Sequence, residues 1–393
     1  MTYSNSICKS RHSKYYGELI SRLNRPTPEN LAAFDLERIN IEGGFDWIRD
    51  KVDDDDEIAS ICVNYTGYTV GVLFLRLHSR ECFRWLEAGL LATRRLGFRR
   101  GEGARLGNLG SVFWSLCEYR KSIEYYERAL EISIEIGDRR SEGGDLGNLG
   151  NAYARLCEYR KAVEYYEQAL AIDRDLKDQK GEAGQLSNLG NVYISLGEYA
   201  KAADYCEKAL ALSTEIGDLQ IKSSSLGNLG LVFWNLGDYP KAIDYYERAL
   251  EITREIKDRN GEANHLGNIG VAHKRLGNYR KAIEYYERAL AITREREDRR
   301  GEGIWLGSLG IAHKNLGNYQ KAIECYEQGL AISKEIGDRD NEGNCLGNMG
   351  NVYKILGEKE KAKELLLKAV AILEPIGSSN VKIYRSHLAE LEN

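Results

Sequence analysis

The sequence predicts an all-α solenoid, a tandem array of helix pairs, and three observations carry that prediction. First, Gly110, Gly150, Gly190, Gly230, Gly270, Gly310 and Gly350 recur every 40 residues without an insertion, as do Leu106 through Leu346 and Leu116 through Leu356. A fixed period of this length marks a repeat architecture, so the array is read before anything else. Second, apolar residues inside each period follow helical spacing: Leu186, Leu189, Gly190, Tyr193 and Leu196 form one stripe, and Ala202, Tyr205, Cys206, Ala209 and Leu210 form another. Third, the 393-residue chain holds 40 glycines but 4 prolines, and 33 of those glycines lie within residues 101–380. The glycines therefore mark turns and helix contacts at a fixed beat, and the scarcity of proline lets helix follow helix.

The elements follow in order along the chain. Residues 1–60 read as a polar start, Met1–Arg25, followed by a helical cap that opens at Thr27-Pro28-Glu29, a capping residue with proline in the first turn. A stack of repeats needs such a cap over its first apolar face. Residues 61–100 form a degenerate unit, because Trp85-Leu86-Glu87-Ala88 through Gly97 falls in register with Tyr125-Tyr126-Glu127-Arg128 through Gly137. Residues 101–380 hold seven 40-residue units, and 381–393 a C-terminal capping helix. Within a unit, Gly197-Glu198 makes the turn; between units Gly217-Asp218 does, with Asp218 as N-cap of the next helix. Pro240 begins a second helix and Pro375 ends the last one.

These residues resemble the tetratricopeptide repeat (TPR) signature. Leu186-Ser-Asn-Leu-Gly-Asn-Val-Tyr193, Leu196-Gly-Glu-Tyr199, Ala202, Tyr205-Cys206 and Ala209-Leu210 carry the likeness, and the Glu135–Arg139 linkers are similar to the 40-residue subclass of Pins-type adaptors and bacterial TPR arrays. The resemblance implies a right-handed superhelix whose first helices line a concave groove. Departures are few: Cys117 and Cys157 stand for the turn glycine, His273 and His313 for the aromatic, and Lys359 and Leu366 for tyrosines. Leu36 through Trp47 resembles the helical segment that joins the nucleotide-binding core to the TPR array in STAND-type signalling ATPases. No GxxxxGK[ST] loop occurs in this chain, so it carries no such core.

Composition narrows the function. Net charge −5 offers no basic surface for a phosphate backbone, so nucleic acid is not an expected partner. The longest apolar run, Val70–Leu77, is too short to span a membrane, and the polar start lacks a signal-peptide core. The eight cysteines (Cys8, Cys62, Cys82, Cys117, Cys157, Cys206, Cys325, Cys345) show no paired spacing, which fits free thiols and a cytoplasmic protein. The histidines have no metal-type residue at i+3 or i+4, the run Asp53–Glu57 lacks calcium-loop spacing, and no nucleophile–base set occurs. No enzyme activity, cofactor or metal is expected.

The binding columns are read from periodicity. Asn108, Asn148, Asn188, Asn228, Asn268 and Asn348 sit two residues after the stripe leucine, about 200° round the helix, with Asn151, Asn191 and Asn351 following at i+3. Asparagine is a mediocre helix former, and its amide both donates to and accepts from an extended backbone. The next columns vary: Trp114, Ala154, Ile194, Trp234, Lys274, Lys314 and Lys354, beside Arg155 and Arg275 among others. The expectation is a peptide-binding scaffold or adaptor in which exposed Trp114 and Trp234 take an apolar segment, and Lys274, Arg275, Lys314 and Lys354 take acidic groups. The alternative is a ligand-sensing arm of a STAND-like signalling system; homo-oligomerisation is possible but not indicated.

Overall fold

The computed structural model describes residues 2–23, 25, 27–67 and 74–392, with the backbone alone at 2–8, 21 and 392. The first half of the apolar run, residues 70–73, therefore lies outside the described residues, as does the side chain of Cys8. Helix follows helix, and no strand occurs among the described residues. The chain forms two compact bodies, 1–196 and 197–393, divided in the turn of the third repeat.

Three helices, Thr2–Arg22, Pro28–Arg49 and Asp56–Gly67, pack together at the start of the first body. Thr27 caps the second of them: its hydroxyl accepts from the Asn30 amide at 3.3 Å, with Pro28 in the first turn. Phe34, Ile41, Phe45 and Ile48 are buried, and Phe45 stacks on Trp85 of helix Ser79–Arg95 with ring centres 4.0 Å apart. The exposed Asp53–Glu57 run leads from a turn into the helix that begins at Asp56, and the Asp55 carboxylate accepts the Glu57 amide at 2.7 Å.

Seven helix pairs follow. The first helices are Arg99–Ser115, Arg139–Arg155, Gln179–Ser195, Leu219–Asn235, Arg259–Arg275, Arg299–Asn315 and Arg339–Ile355. The second helices of the repeats are Tyr119–Glu135, Tyr159–Asp175, Tyr199–Glu215, Tyr239–Glu255, Tyr279–Glu295, Tyr319–Ile336 and Lys359–Leu373. Within each body a second helix packs on its own first helix and on the next one. Helix Val381–Glu392 packs on the last pair.

Local chemistry sets each boundary. From the second repeat on, the first helix is capped by an aspartate (Asp138, Asp178, Asp218, Asp258, Asp298 and Asp338) whose carboxylate accepts an amide of the first turn at 2.9–3.3 Å. In the first, fifth and sixth repeats that turn also carries a largely buried glutamate held by two arginines, as with Arg254 and Arg259 on Glu262 at 2.9 and 2.6 Å and Arg294 and Arg299 on Glu302 at 2.8 and 2.5 Å. Turns close on a residue of positive φ, usually glycine, but Cys117 (60°), Cys157 (61°), Lys177 (54°), Lys257 (58°) and Glu297 (55°) adopt the same conformation. A left-handed non-glycine residue costs roughly 1 kcal/mol.

The mid-helix glycines repay their low helix propensity in packing. A methyl at Gly110, Gly150 or Gly270 would stand 2.6 Å from the ring of Tyr126, Tyr166 or Tyr286 of the partner helix. Those tyrosines are 3%, 2% and 0% exposed, so the missing side chain is what lets each ring into the core.

Candidate functional site

The exposed face of the first helices carries the expected binding columns, and each body has a cavity there. In the first body a cavity of about 250 Å³ is lined by Asn108, Ser111, Asn148, Arg100, Asp138 and Asp145, among others. Asp145 forms its buried wall: Ser133 donates to one carboxylate oxygen at 2.8 Å, while Arg100 is spent on Asp138 at 3.0 Å. Burial, reinforced by the Asp138 charge and offset in part by Ser133, pushes the Asp145 carboxyl up to about 7. In the second body a cavity of about 510 Å³ is lined by Ser308, Lys314, Asn344, Asn348, Asn351, Asn380 and His387, among others.

The structure brings some expected residues together and commits others elsewhere. Asn108 and Asn148 share the first cavity, and Asn348 and Asn351 share the second with Lys314. Asn188, Asn228 and Asn268 are half-buried at the same helical position, and Asn191 is exposed. Asn151, by contrast, is tied inward, its amide oxygen accepting the Tyr166 hydroxyl at 2.8 Å. Arg155 donates to the Tyr119 hydroxyl at 3.2 and 3.1 Å.

The two indoles differ from the expectation of a matched exposed pair. Trp114 is 41% exposed, its ring meeting Tyr119 edge-on. Trp234 is half-buried against the core around Tyr246, its indole nitrogen is enclosed without a partner, and the Arg275 guanidinium lies 5.8 Å from its ring centre. Trp234 is thus a core ring with one edge out, because Arg275 one repeat later covers it.

The lysine strip is also uneven. Lys274 and Lys314 are half-buried and form no ion pair among the described residues. Burial, aided by Arg275 and Lys314, lowers the Lys274 ammonium from its ordinary value; burial and Lys354 do the same to Lys314. Lys354 is already paired with Glu390 of the last helix at 2.6 Å. Glu390 of the C-terminal helix thus occupies the ammonium that the sequence offers to acidic groups.

Periodicity also hides a column. Asp145, Gln185, His265 and Trp305 precede the stripe leucine and project onto the glycine that follows the stripe leucine one repeat earlier. A methyl at Gly147 would stand 2.9 Å from Gln185 and one at Gly227 2.9 Å from His265, while one at Gly267 would overlap the Trp305 ring. The recurring glycine beside a variable column was the available signal.

A chain of helix pairs repeated at a fixed period is a helical-repeat protein. The tetratricopeptide repeat model matches residues 81–175, 183–255, 222–295 and 301–374, and a second model of the same description matches 148–215. The chain belongs to the tetratricopeptide repeat family. No curated protein matches the sequence.

Among solved structures, the fold is similar to that of a Signal Transduction ATPase with Numerous Domains carrying a tetratricopeptide repeat sensor from Pyrococcus horikoshii (TM-score 0.68, 17% identity, 97% of this chain and 59% of that one). It is also similar to the apo quorum sensor NprR from B. thuringiensis (0.63, 14%, 88% and 97%). A third likeness is to the Rap conjugation gene regulator of plasmid pLS20 in complex with the Phr* peptide (0.56, 16%, 94% and 96%). At these identities the likeness describes the fold.

Proposed function

We propose that this protein is a non-enzymatic interaction scaffold that holds an extended partner peptide or helix on the first-helix face. The observation that carries the reading is the second-body cavity, where unpaired Lys314 stands among the amides of Asn348, Asn351, Asn344 and Asn380. A half-buried ammonium without a carboxylate is under-solvated, and a ligand carboxylate would supply both the charge and the hydrogen bonds it lacks. The amides of Asn348 and Asn351 both donate and accept, which suits the backbone of an extended chain, whereas Asn380 donates to Asn344 at 2.8 Å and Asn344 to Asp340 at 3.0 Å, so that pair forms a fixed wall. The Rap regulator noted above was solved with a peptide, which supports the class of ligand. In the first body Trp114 supplies apolar area and Asn108 and Asn148 the amides.

Selection of peptides from an unbiased display library on the full chain tests this. Peptides carrying Asp or Glu at a fixed position are expected, losing about tenfold or more in affinity for Lys314→Glu; binders indifferent to Lys314→Glu, Lys274→Glu and Asn348→Ala would overturn it. A second reading, the sensing arm of a STAND-like system, is favoured by the likeness that spans 97% of this chain. It predicts that peptide affinity changes when a nucleotide-binding partner is added, which a passive scaffold does not.

A further inference from the structure

The repeats act as controls for one another, and two of them, the sixth and the seventh, lack a tyrosine ring on the second helix. In the first, second, fourth and fifth repeats a tyrosine of the second helix stacks on an aromatic ring of the first. The pairs are Phe113–Tyr125 (5.1 Å between centres), Tyr153–Tyr165 (5.3 Å), Phe233–Tyr245 (5.3 Å) and His273–Tyr285 (5.5 Å). In the sixth repeat the first-helix ring is kept as His313, but the tyrosine position is Cys325. In the seventh, Leu365 occupies the position and packs into the core.

At Cys325 the missing ring leaves a cavity of about 290 Å³, lined by Glu287, Leu290, Arg294, Leu306, His313 and Gln328 among others. Its walls match the environment of the resident tyrosines one repeat at a time. Tyr245 and Leu210 both pack against the core cluster around Leu226, and Leu210 and Leu226 correspond to Leu290 and Leu306. The Tyr285 hydroxyl donates to Glu247 at 3.3 Å, and Glu247 corresponds to Glu287. Tyr285 stacks on His273, which corresponds to His313. Above the ring of Tyr285 lies the Arg288 guanidinium at 5.4 Å, whereas the sixth repeat has the uncharged Gln328. The His313 Nδ1 is enclosed without a partner, and Cys325 is a free, half-buried thiol.

We propose that this cavity is a receptor for the phenol ring of a tyrosine side chain from a partner protein. The ring stacks on the His313 imidazole, its flanks rest on Leu290 and Leu306, and its hydroxyl donates to the Glu287 carboxylate, reproducing the contacts that the chain's own tyrosines make elsewhere. An aromatic ring returned to a preformed apolar slot recovers both area and stacking, and a neutral donor on a carboxylate gives preference for tyrosine over phenylalanine. The site lies between the second helices of the fifth and sixth repeats and the first helix of the sixth. It uses none of the residues assigned to the first-helix face, so its failure leaves that reading untouched.

The test titrates histidine-labelled full-length protein with the capped tripeptide acetyl-Gly-Tyr-Gly-amide, reading the His313 ring resonances by NMR. A saturable His313 shift is expected, at least about fivefold weaker binding for the Phe tripeptide, retention in Cys325→Ala, and loss in Cys325→Tyr, where the chain fills its own slot. No saturable shift in the wild type overturns the proposal whether or not Cys325→Tyr folds. Equal affinity for the Phe tripeptide overturns the role of Glu287, and binding of free 4-ethylphenol without the Tyr tripeptide overturns a side-chain ligand.

Discussion

The cavity around Asp145 in the first body and the one around Lys314 in the second are built on one helix template and loaded with opposite charge. In both, a first helix presents its outer face between stripe leucines that do not vary, and asparagines recur at the same position. What differs is the variable columns: a buried carboxyl shielded from the nearest arginine in one, an unpaired ammonium in the other. The comparison teaches that the repeat specifies where a ligand lies, and single columns specify what it is.

Breaking the shared template should have the largest effect. Gly150→Val and Gly270→Val each force a side chain into a tyrosine ring that a methyl would already meet at 2.6 Å. Each is expected to cost about 3 kcal/mol, read from the urea midpoint. Equal losses in the two bodies uphold the common template, and a neutral result in either breaks it.

Changing only the charge sharpens the contrast. The Asp145 carboxyl, raised by burial to about 7, binds its proton more tightly folded than unfolded. Its contribution is therefore fully present below about pH 4 and is lost as pH rises towards 7. Asp145→Asn should flatten that decline and raise stability by roughly 2 kcal/mol at pH 8, with little difference near pH 4, followed by thermal unfolding across pH. A variant with the wild-type pH profile would show that water or a cation already relieves the carboxylate.

Turn chemistry gives smaller effects. Cys157→Gly, Lys257→Gly and Glu297→Gly remove left-handed strain and should each stabilise by about 0.5–1 kcal/mol, less the entropy glycine adds to the unfolded chain. The smallest effect belongs to Glu390→Gln at the exposed Lys354 pair, within about 0.5 kcal/mol by the same denaturation, with Lys354 becoming available to anionic peptides. Unchanged peptide affinity there would separate Lys354 from the ligand face altogether.

Helix pairs, aspartate caps and turns were legible because they depend on contacts a few residues apart, repeated until chance is excluded. The shared cavity of Asn108 and Asn148 in the first body, and that of Lys314 and Asn348 in the second, were legible because helical period alone orders those positions within each body. Asn151, Arg155, Trp234 and Lys354 were not, since each is claimed by a partner 15 to 41 residues away: Tyr166, Tyr119, Arg275 and Glu390. The Asp145 cavity was missed for the same reason. Its burial arises where two repeats meet, and a single helical wheel does not show that joint.

The fit of each variable side chain over the preceding glycine bears on how such a gene can change. Trp305 fills the space above Gly267, and His265 the smaller space above Gly227. Unequal crossing-over that duplicated the fifth repeat in place would seat an imidazole where an indole had been and leave a void. The repeats look alike enough to recombine, yet their order is written into the joints, so lineages that gain or lose a unit must also re-match the neighbouring pair.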